Sequence, residues 1–316
     1  MANTFLTPSM IASRALATLY ENTVMAQLVH RDYEADFQGR QGDTITVRKP
    51  AVFTATEFNR STGIVPQNII ESGVPVTLNH MPDVSVAVTT EQLTLNINDF
   101  GTQVLDPMMM AIAQKIDRDL LALRADVVQS IGQTSPNADG ENYQGYNGTY
   151  PWSDSRVLIQ AGEVLDTKDV PEEDRRVVVG PRTKARWMAE RIWRAANQRG
   201  STVGLERAQF GAQASGFDPY MTQNIAGPAG SPTTGQPTTE VDLAFHKTAF
   251  ALVTRTLEVP PGAQDAAILD FEGFALRVVY AYDIKYKQTT VSVDCLYGTK
   301  TLDPNRAVLI QGPLAP

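Results

Sequence analysis

The rarer side chains of this 316-residue chain, the ones that could do chemistry, are few and scattered. Three histidines, His30, His80 and His246, stand far apart, and no two have the spacing of a metal-ligating pair. The single cysteine, Cys295, lies in an alternating apolar stretch, where a thiol is more often a small core residue than a nucleophile. No Gly-x-Ser-x-Gly elbow supports a nucleophilic serine, and no Walker or Rossmann glycine pattern offers a phosphate cradle. Glu172-Glu173-Asp174 could do acid–base work, but on a charged turn beside Arg175 and Arg176 it reads as a solvated face. Asp117, Arg118 and Asp119 read as the polar side of a helix, with ion pairs between subunits in reach. Met108-Met109-Met110 reads as adaptable packing rather than a metal site. Tyr143, Tyr146, Tyr150 and Trp152 read as pins for a loop, because no basic residues interleave them as base stacking would need. The residues assign no catalytic group, no cofactor site and no metal site.

Composition narrows the class. Hydrophobic residues make up 42% and charged residues 20%, which is ordinary for a globular protein. The net charge of −8 argues against a dedicated nucleic-acid reader, which carries a basic face, but not against a protein that surrounds nucleic acid. No apolar run reaches the ~18 residues of a membrane span. The first ten residues lack the pattern of a secretory signal, and without that route the sequon Asn147-Gly148-Thr149 carries no meaning. One cysteine cannot build an internal disulfide framework and fits a reducing compartment.

The element that must organise the rest runs from Asp106 to Ile131. Leu105, Met109, Ile112, Ile116, Leu120, Leu123, Val127 and Ile131 recur at steps of three or four, on one helical face. Asp106 and Pro107 suit the start and Gly132 suits the exit. Unbroken, this helix is ~38 Å long at about 1.5 Å per residue. It needs an equally long partner, and two long strands, 273–283 and 287–298, joined near Ile284–Tyr286, offer a hairpin. Ser9–Val29 reads as an amphipathic helix that either docks on its own domain or reaches a neighbour. Strands follow between Gly39 and Thr90, and the weakly apolar middle, Glu57–Glu71, reads either as an extended hairpin or as a small meander. Helices are expected over Ser153–Thr167 and Pro181–Arg199, with a buried strand at Val177–Val179 between them. After a Pro/Gly/Thr loop at Gly227–Glu240 the chain turns to strands, the last short one near its end. The fold class is α+β.

Several stretches resemble the coat proteins of short-tailed phages, within the major capsid proteins of tailed phages. These are FALVTRTLEVPPG, GFALRVVYAYDIKYKQTTVSVDCLYGTKTLDP, LDTKDVPEEDRRVVVGPRTKARWM and ASGFDPYMTQNI, in family order, after an N-terminal helix, a Gly-Asp-Thr-Ile strand and the long helix. The resemblance implies the Hong Kong 97-type phage capsid fold. Residues 1–37 would form the N-arm, 38–98 the extended E-loop with flanking P-domain strands, and 99–152 the P-domain spine helix with the following loop. Residues 153–262 would form the A-domain, 263–302 the P-domain β hairpin, and 303–316 a C-terminal strand of the A-domain. No segment is long enough for the inserted β domain that some members carry.

The implied function is self-assembly as pentamers and hexamers into an icosahedral head. That head encloses double-stranded DNA without sequence-specific binding. Implied partners are other copies of the chain, a scaffolding protein, a portal and a decoration protein, with no membrane and no cofactor. The implied location is the virion, and the host cytoplasm during assembly. Candidate intersubunit contacts are Phe53, Phe58 and Arg60 on the loop, and Arg14 and Tyr20 on the arm. No sequence feature assigns a covalent cross-link to Lys49 or Lys300. The alternatives are an encapsulin-type cellular shell protein, a tail or decoration protein, and a small oligomeric enzyme with an unrecognised site.

Overall fold

The computed structural model describes residues 24–31, 44–49, 72–89, 106–133, 150–190, 193, 213–225, 227–259, 265–271 and 274–316, with isolated positions 55, 57, 58, 60, 61 and 63. Among the described residues the longest helix is α2 (Asp106–Ala122), after a one-turn helix α1 (Met25–Leu28). Met108, Met109, Ile112, Ala113, Ile116, Leu120 and Leu121 of α2 are buried, as the helical period requires. Of the N-terminal helix expected over Ser9–Val29, only this last turn lies within the described residues.

The organising helix is shorter than its apolar pattern predicts. It gives way to a 3₁₀ turn, Leu123–Asp126, and Val127 is already extended at φ −91° and ψ 118°. Ser130–Ile131 is a strand, β4, so the helix spans ~26 Å rather than ~38 Å. No Gly or Pro marks the break. Tertiary bonds make it: Leu309 N and Gln311 N donate to the carbonyls of Gln129 and Ile131, and the Thr301 hydroxyl donates to Asp126. Gly132, at φ +85°, turns the chain out of this strand rather than out of a helix.

The strands are β1 (Thr44–Lys49), β2 (Ser72–Thr77), β3 (Asp83–Thr89), β5 (Arg175–Val179), β6 (Asp218–Met221), β7 (Asp242–His246), β8 (Phe250–Arg255), β9 (Asp265–Phe271), β10 (Phe274–Asp283), β11 (Gln288–Asp294), β12 (Leu296–Thr301) and β13 (Ala307–Ile310). They form four sheets. An antiparallel sheet, β3-β11-β10-β9, contains the expected hairpin, with Asp283 opposite Gln288 across the turn. Leu276, Val278, Val291 and Val293 of that hairpin share one core with α1 and α2, so the helix and the hairpin do cover each other. The segment expected as one strand, 287–298, breaks at Cys295: β11 stays in this sheet, while β12 pairs with β8.

The mixed five-stranded sheet runs β4-β13-β7-β5-β6. Both of its faces are buried, which is why Val177-Val178-Val179 is a continuous apolar run rather than an alternating one. Val178, Leu243 and Phe245 point into the α2 core. Val177, Val179 and Ala244 point into a second core under α3 (Val157–Asp166) and α4 (Pro181–Ala189). The second helix, expected to reach Arg199, is interrupted where Glu190 becomes extended; Trp193 is helical again, and the other residues from 191 to 199 lie outside the described ones. β1 and β2 form a separate antiparallel ribbon, with Lys49 opposite Ser72. A third, smaller core, built from Ile45, Val47, Val76, Ala251, Val253 and Leu302, holds this ribbon on β8.

Candidate functional site

The expected polar helix face is not polar at Asp117. This carboxylate is fully buried and accepts from the amides of Met25 at 3.2 Å and Val24 at 3.5 Å, and from the Asn224 side chain at 3.2 Å. It caps the free amides at the start of α1. An ion pair between subunits is therefore closed to it; Arg118, next in sequence, is exposed. Burial pushes the Asp117 carboxyl up to about 6. At the other end of α1, the Arg176 guanidinium donates to the carbonyls of Leu28 at 2.5 Å and Gln27 at 3.4 Å. A carboxylate at the N-terminus and a guanidinium at the C-terminus complement the helix dipole at both ends. Beyond α1, His30 continues as a bridge to β8: its amide donates to Phe250, and the Leu252 amide donates to its carbonyl.

Asp119 joins three layers. It accepts from the Tyr297 hydroxyl at 2.6 Å and Lys115 at 2.5 Å, and lies 3.5 Å from His80, which stacks on the Tyr297 ring. Burial and the adjacent Asp119 charge raise the Tyr297 phenol well above its ordinary range.

Arg175 and Arg176 leave β5 on opposite faces. Buried Arg175 donates to the carbonyls of Val170 and Pro171 and to Asp166, fixing the turn between α3 and β5. Glu172, Glu173 and Asp174 on that turn are exposed, as expected of a solvated face.

The strongest cluster of buried acids sits at the start of α4. Glu240 accepts from the amides of Arg182 at 3.0 Å and Thr183 at 3.1 Å, and Asp242 accepts from Gly180 N at 2.7 Å. A side chain at Gly180 would put a Cβ 2.3 Å from the Glu240 carboxylate, so this approach needs glycine. The second oxygen of Asp242 has no partner. Burial, aided by the Glu240 charge, pushes Asp242 up to about 7. Glu190, after α4, accepts from the Ser155 amide at 2.7 Å and hydroxyl at 2.5 Å, and burial raises it to about 7 as well. These acids hold backbone ends, and a shallow cleft lies outside α4. Among the described residues no group of three His, Cys, Asp or Glu side chains could hold a metal ion, and no helix is long and apolar enough to cross a membrane.

The exposed apolar residues lie elsewhere. Tyr282, Ile284 and Tyr286 stand out at the β10–β11 tip, with Ile284 70% exposed and Lys285 over the Tyr286 ring. Phe58, among the expected contact residues, is 66% exposed, and Arg60 is exposed too. Phe53, Arg14 and Tyr20 lie outside the described residues, as do Tyr143 and Tyr146. Tyr150 and Trp152 are pinned: Tyr150 is buried, and the Trp152 carbonyl accepts from Trp187. Sequence reading placed this turn but did not count its apolar residues among the candidate contacts, although three large apolar residues within a charged turn (YDIKYK) were a readable sign.

No protein-family model matches the chain, and no curated protein matches it. Solved structures do. A structure from Mycobacterium phage Che8 superposes with a TM-score of 0.66 at 16% identity, covering 98% of this chain and 94% of its own. The capsid structure of cyanophage P-SCSP1u gives 0.65 at 15% identity, covering 100% and 91%. The holo-SrpI encapsulin complex from Synechococcus elongatus gives 0.50 at 13% identity, covering 98% and 92%. At such identities backbone architecture is what is shared: an α+β chain with the fold of phage capsid structures.

Proposed function

We propose that this chain is the major capsid protein of a tailed phage, self-assembling as pentamers and hexamers into the icosahedral head around double-stranded DNA. The observation that carries the reading is the superposition of the whole chain on nearly the whole of a phage capsid structure. The shape of the chain supports it. A separate β1–β2 ribbon and a hairpin with an exposed apolar tip are surfaces that a neighbouring copy could use.

In the Hong Kong 97-type arrangement, residues 1–37 are the N-arm and 38–98 the E-loop and flanking strands. Residues 99–152 hold the spine helix, 153–262 the A-domain, 263–302 the P-domain hairpin, and 303–316 the last A-domain strand. Phe58 and Arg60, with Phe53, Arg14 and Tyr20, contact neighbouring subunits. Each such contact can be weak, because heterologous contacts closing a ring multiply it. The net charge of −8 suits a wall that confines DNA without gripping it, since each phosphate contact would slow packaging or ejection. The protein acts by assembly rather than catalysis, in the virion and before that in the host cytoplasm, with scaffolding protein, portal and decoration protein as partners.

Light scattering and negative-stain microscopy test the reading, with the chain expressed alone and with its genomic neighbours. Closed shells or large curved sheets are expected; a compact monomer or dimer under both conditions overturns it. Deleting residues 57–71 is expected to lower shell yield and stability. The similarity to an encapsulin structure favours one second reading, a cellular nanocompartment shell. Shells that co-purify with a packaged enzyme rather than with scaffold and portal would select it.

A further inference from the structure

The outer face of α4 carries a cleft of about 510 Å³ lined by Trp152, Arg182, Ala185, Arg186, Thr238 and Glu240. Arg182 and Arg186, one helical turn apart, share this face. Both are exposed, and neither has a carboxylate partner among the described residues. Arg186 rests 5.2 Å from the centre of the Trp152 ring, which holds its guanidinium at the rim. Glu240 lines the inner wall and accepts from the backbone amides of Arg182 and Thr183, and neither guanidinium forms an ion pair with it, so two cations face one carboxylate. The sequence of α4, PRTKARWMA, contains no acid, in a chain of net charge −8.

The complementary feature lies on the same chain. Glu172 and Glu173 are exposed on the α3–β5 turn and pair with no base among the described residues. Their turn is held rigid by Arg175, through Val170, Pro171 and Asp166. Asp166, Lys168 and Asp169, just before it in sequence, are exposed too, with Asp166 paired to Arg175. The two features sit at opposite ends of β5, whose five residues set them roughly 13–16 Å apart. Within one copy they cannot meet. Between copies they can, head to tail, and such a contact closes rings.

We propose that the α4 cleft receives the Glu172–Glu173 turn of a neighbouring copy, and that this charged contact sets the register of subunits within a ring. The inference rests on the assembly reading above. The preformed turn and the aromatic-backed arginine lower the ordering cost of the contact, and its strength falls with salt.

Glu172→Cys combined with Arg186→Cys tests it, because Cys295, the chain's own thiol, is buried. Oxidised shells of the double variant should give a ladder of disulfide-linked multimers on a non-reducing gel, and neither single variant should. Shells of normal size without a ladder overturn the inference and leave the capsid reading standing. If even the unaltered chain forms nothing larger than a dimer, the capsid reading falls and takes this one with it. Charge reversal supplies an independent arm. Arg182→Glu with Arg186→Glu, or Glu172→Lys with Glu173→Lys, should each cut assembled material at least tenfold. Combining all four should restore it. If the arginine reversal leaves assembly unchanged but abolishes retention of a duplex DNA fragment, the cleft is a nucleic-acid site and the proposal fails.

Discussion

Asp117, Glu190 and Asp242 each hold backbone or hydroxyl donors while buried, and burial dominates their titration. Their carboxyls rise in the folded chain to about 6, about 7 and about 7, above the ordinary carboxylate range. A raised folded-state pKa means the folded chain binds protons that the unfolded chain has already released. The stability so contributed is fully present below about pH 4 and is lost as the pH rises through 6 to 7. Between pH 5 and 8 each group should withdraw on the order of 1–3 kcal/mol. Denaturant unfolding of the subunit at pH 5, 6.5 and 8 checks this, and a stability that climbs across that window would contradict it. Asp242→Asn keeps an acceptor for Gly180 N without a titrating charge, so it should flatten the pH dependence. Burial, with Arg306 nearby, holds His246 below its usual range, so this one group works in the opposite sense, favouring the folded chain as the pH rises.

Single elements show what a sequence can and cannot reveal. The buried face of α2 was legible because Met109, Ile112, Ile116 and Leu120 follow a helical period. Its end was not, because the pairing that draws Ser130 and Ile131 into a strand comes from β13, about 180 residues away along the chain. The hairpin turn at Ile284–Lys287 was legible from its flanking strands; the change of sheet at Cys295 was not, because alternation does not name a strand's partner. Asp117 looked like any charge beside Arg118, since its donors come from residues far off in sequence. Helix α1 makes the same point in energetic terms. Asp117→Ala and Arg176→Ala each remove one end of its clamp, and each should cost ~1–3 kcal/mol. Both should speed proteolytic cutting within residues 24–31, and the double variant should cost less than the sum, since both act on one element. Full additivity would mean the two ends are held independently. Gly298 tests the junction of β12 with β2: a Cβ there would lie 2.2 Å from the Thr77 carbonyl oxygen. Backbone cannot step aside as a side chain can, so Gly298→Ala should lower unfolding stability by about 3 kcal/mol. An unchanged denaturation midpoint would show that the two strands separate freely.

The whole molecule consists of a rigid middle and projecting parts. One buried sheet divides two cores, α2 with the hairpin covers one face, and α3 with α4 covers the other. The ribbon, the hairpin tip and the α4 cleft carry exposed apolar or unpaired charged groups, and these are the surfaces on which neighbouring copies are proposed to meet. Cys295 sits where the chain passes from the four-stranded sheet into the β8–β12 pair. Its thiol is 6% exposed, and burial pushes its pKa up to about 12. At neutral pH it is therefore neither reachable nor ionised until that seam opens. With no other thiol in the chain, the rate at which a maleimide or disulfide reagent consumes it becomes a built-in stopwatch for the seam. Subunits locked in a finished particle should react far more slowly than loose ones. A population caught between two shell states should label in two distinguishable phases, without any probe having been engineered into the protein.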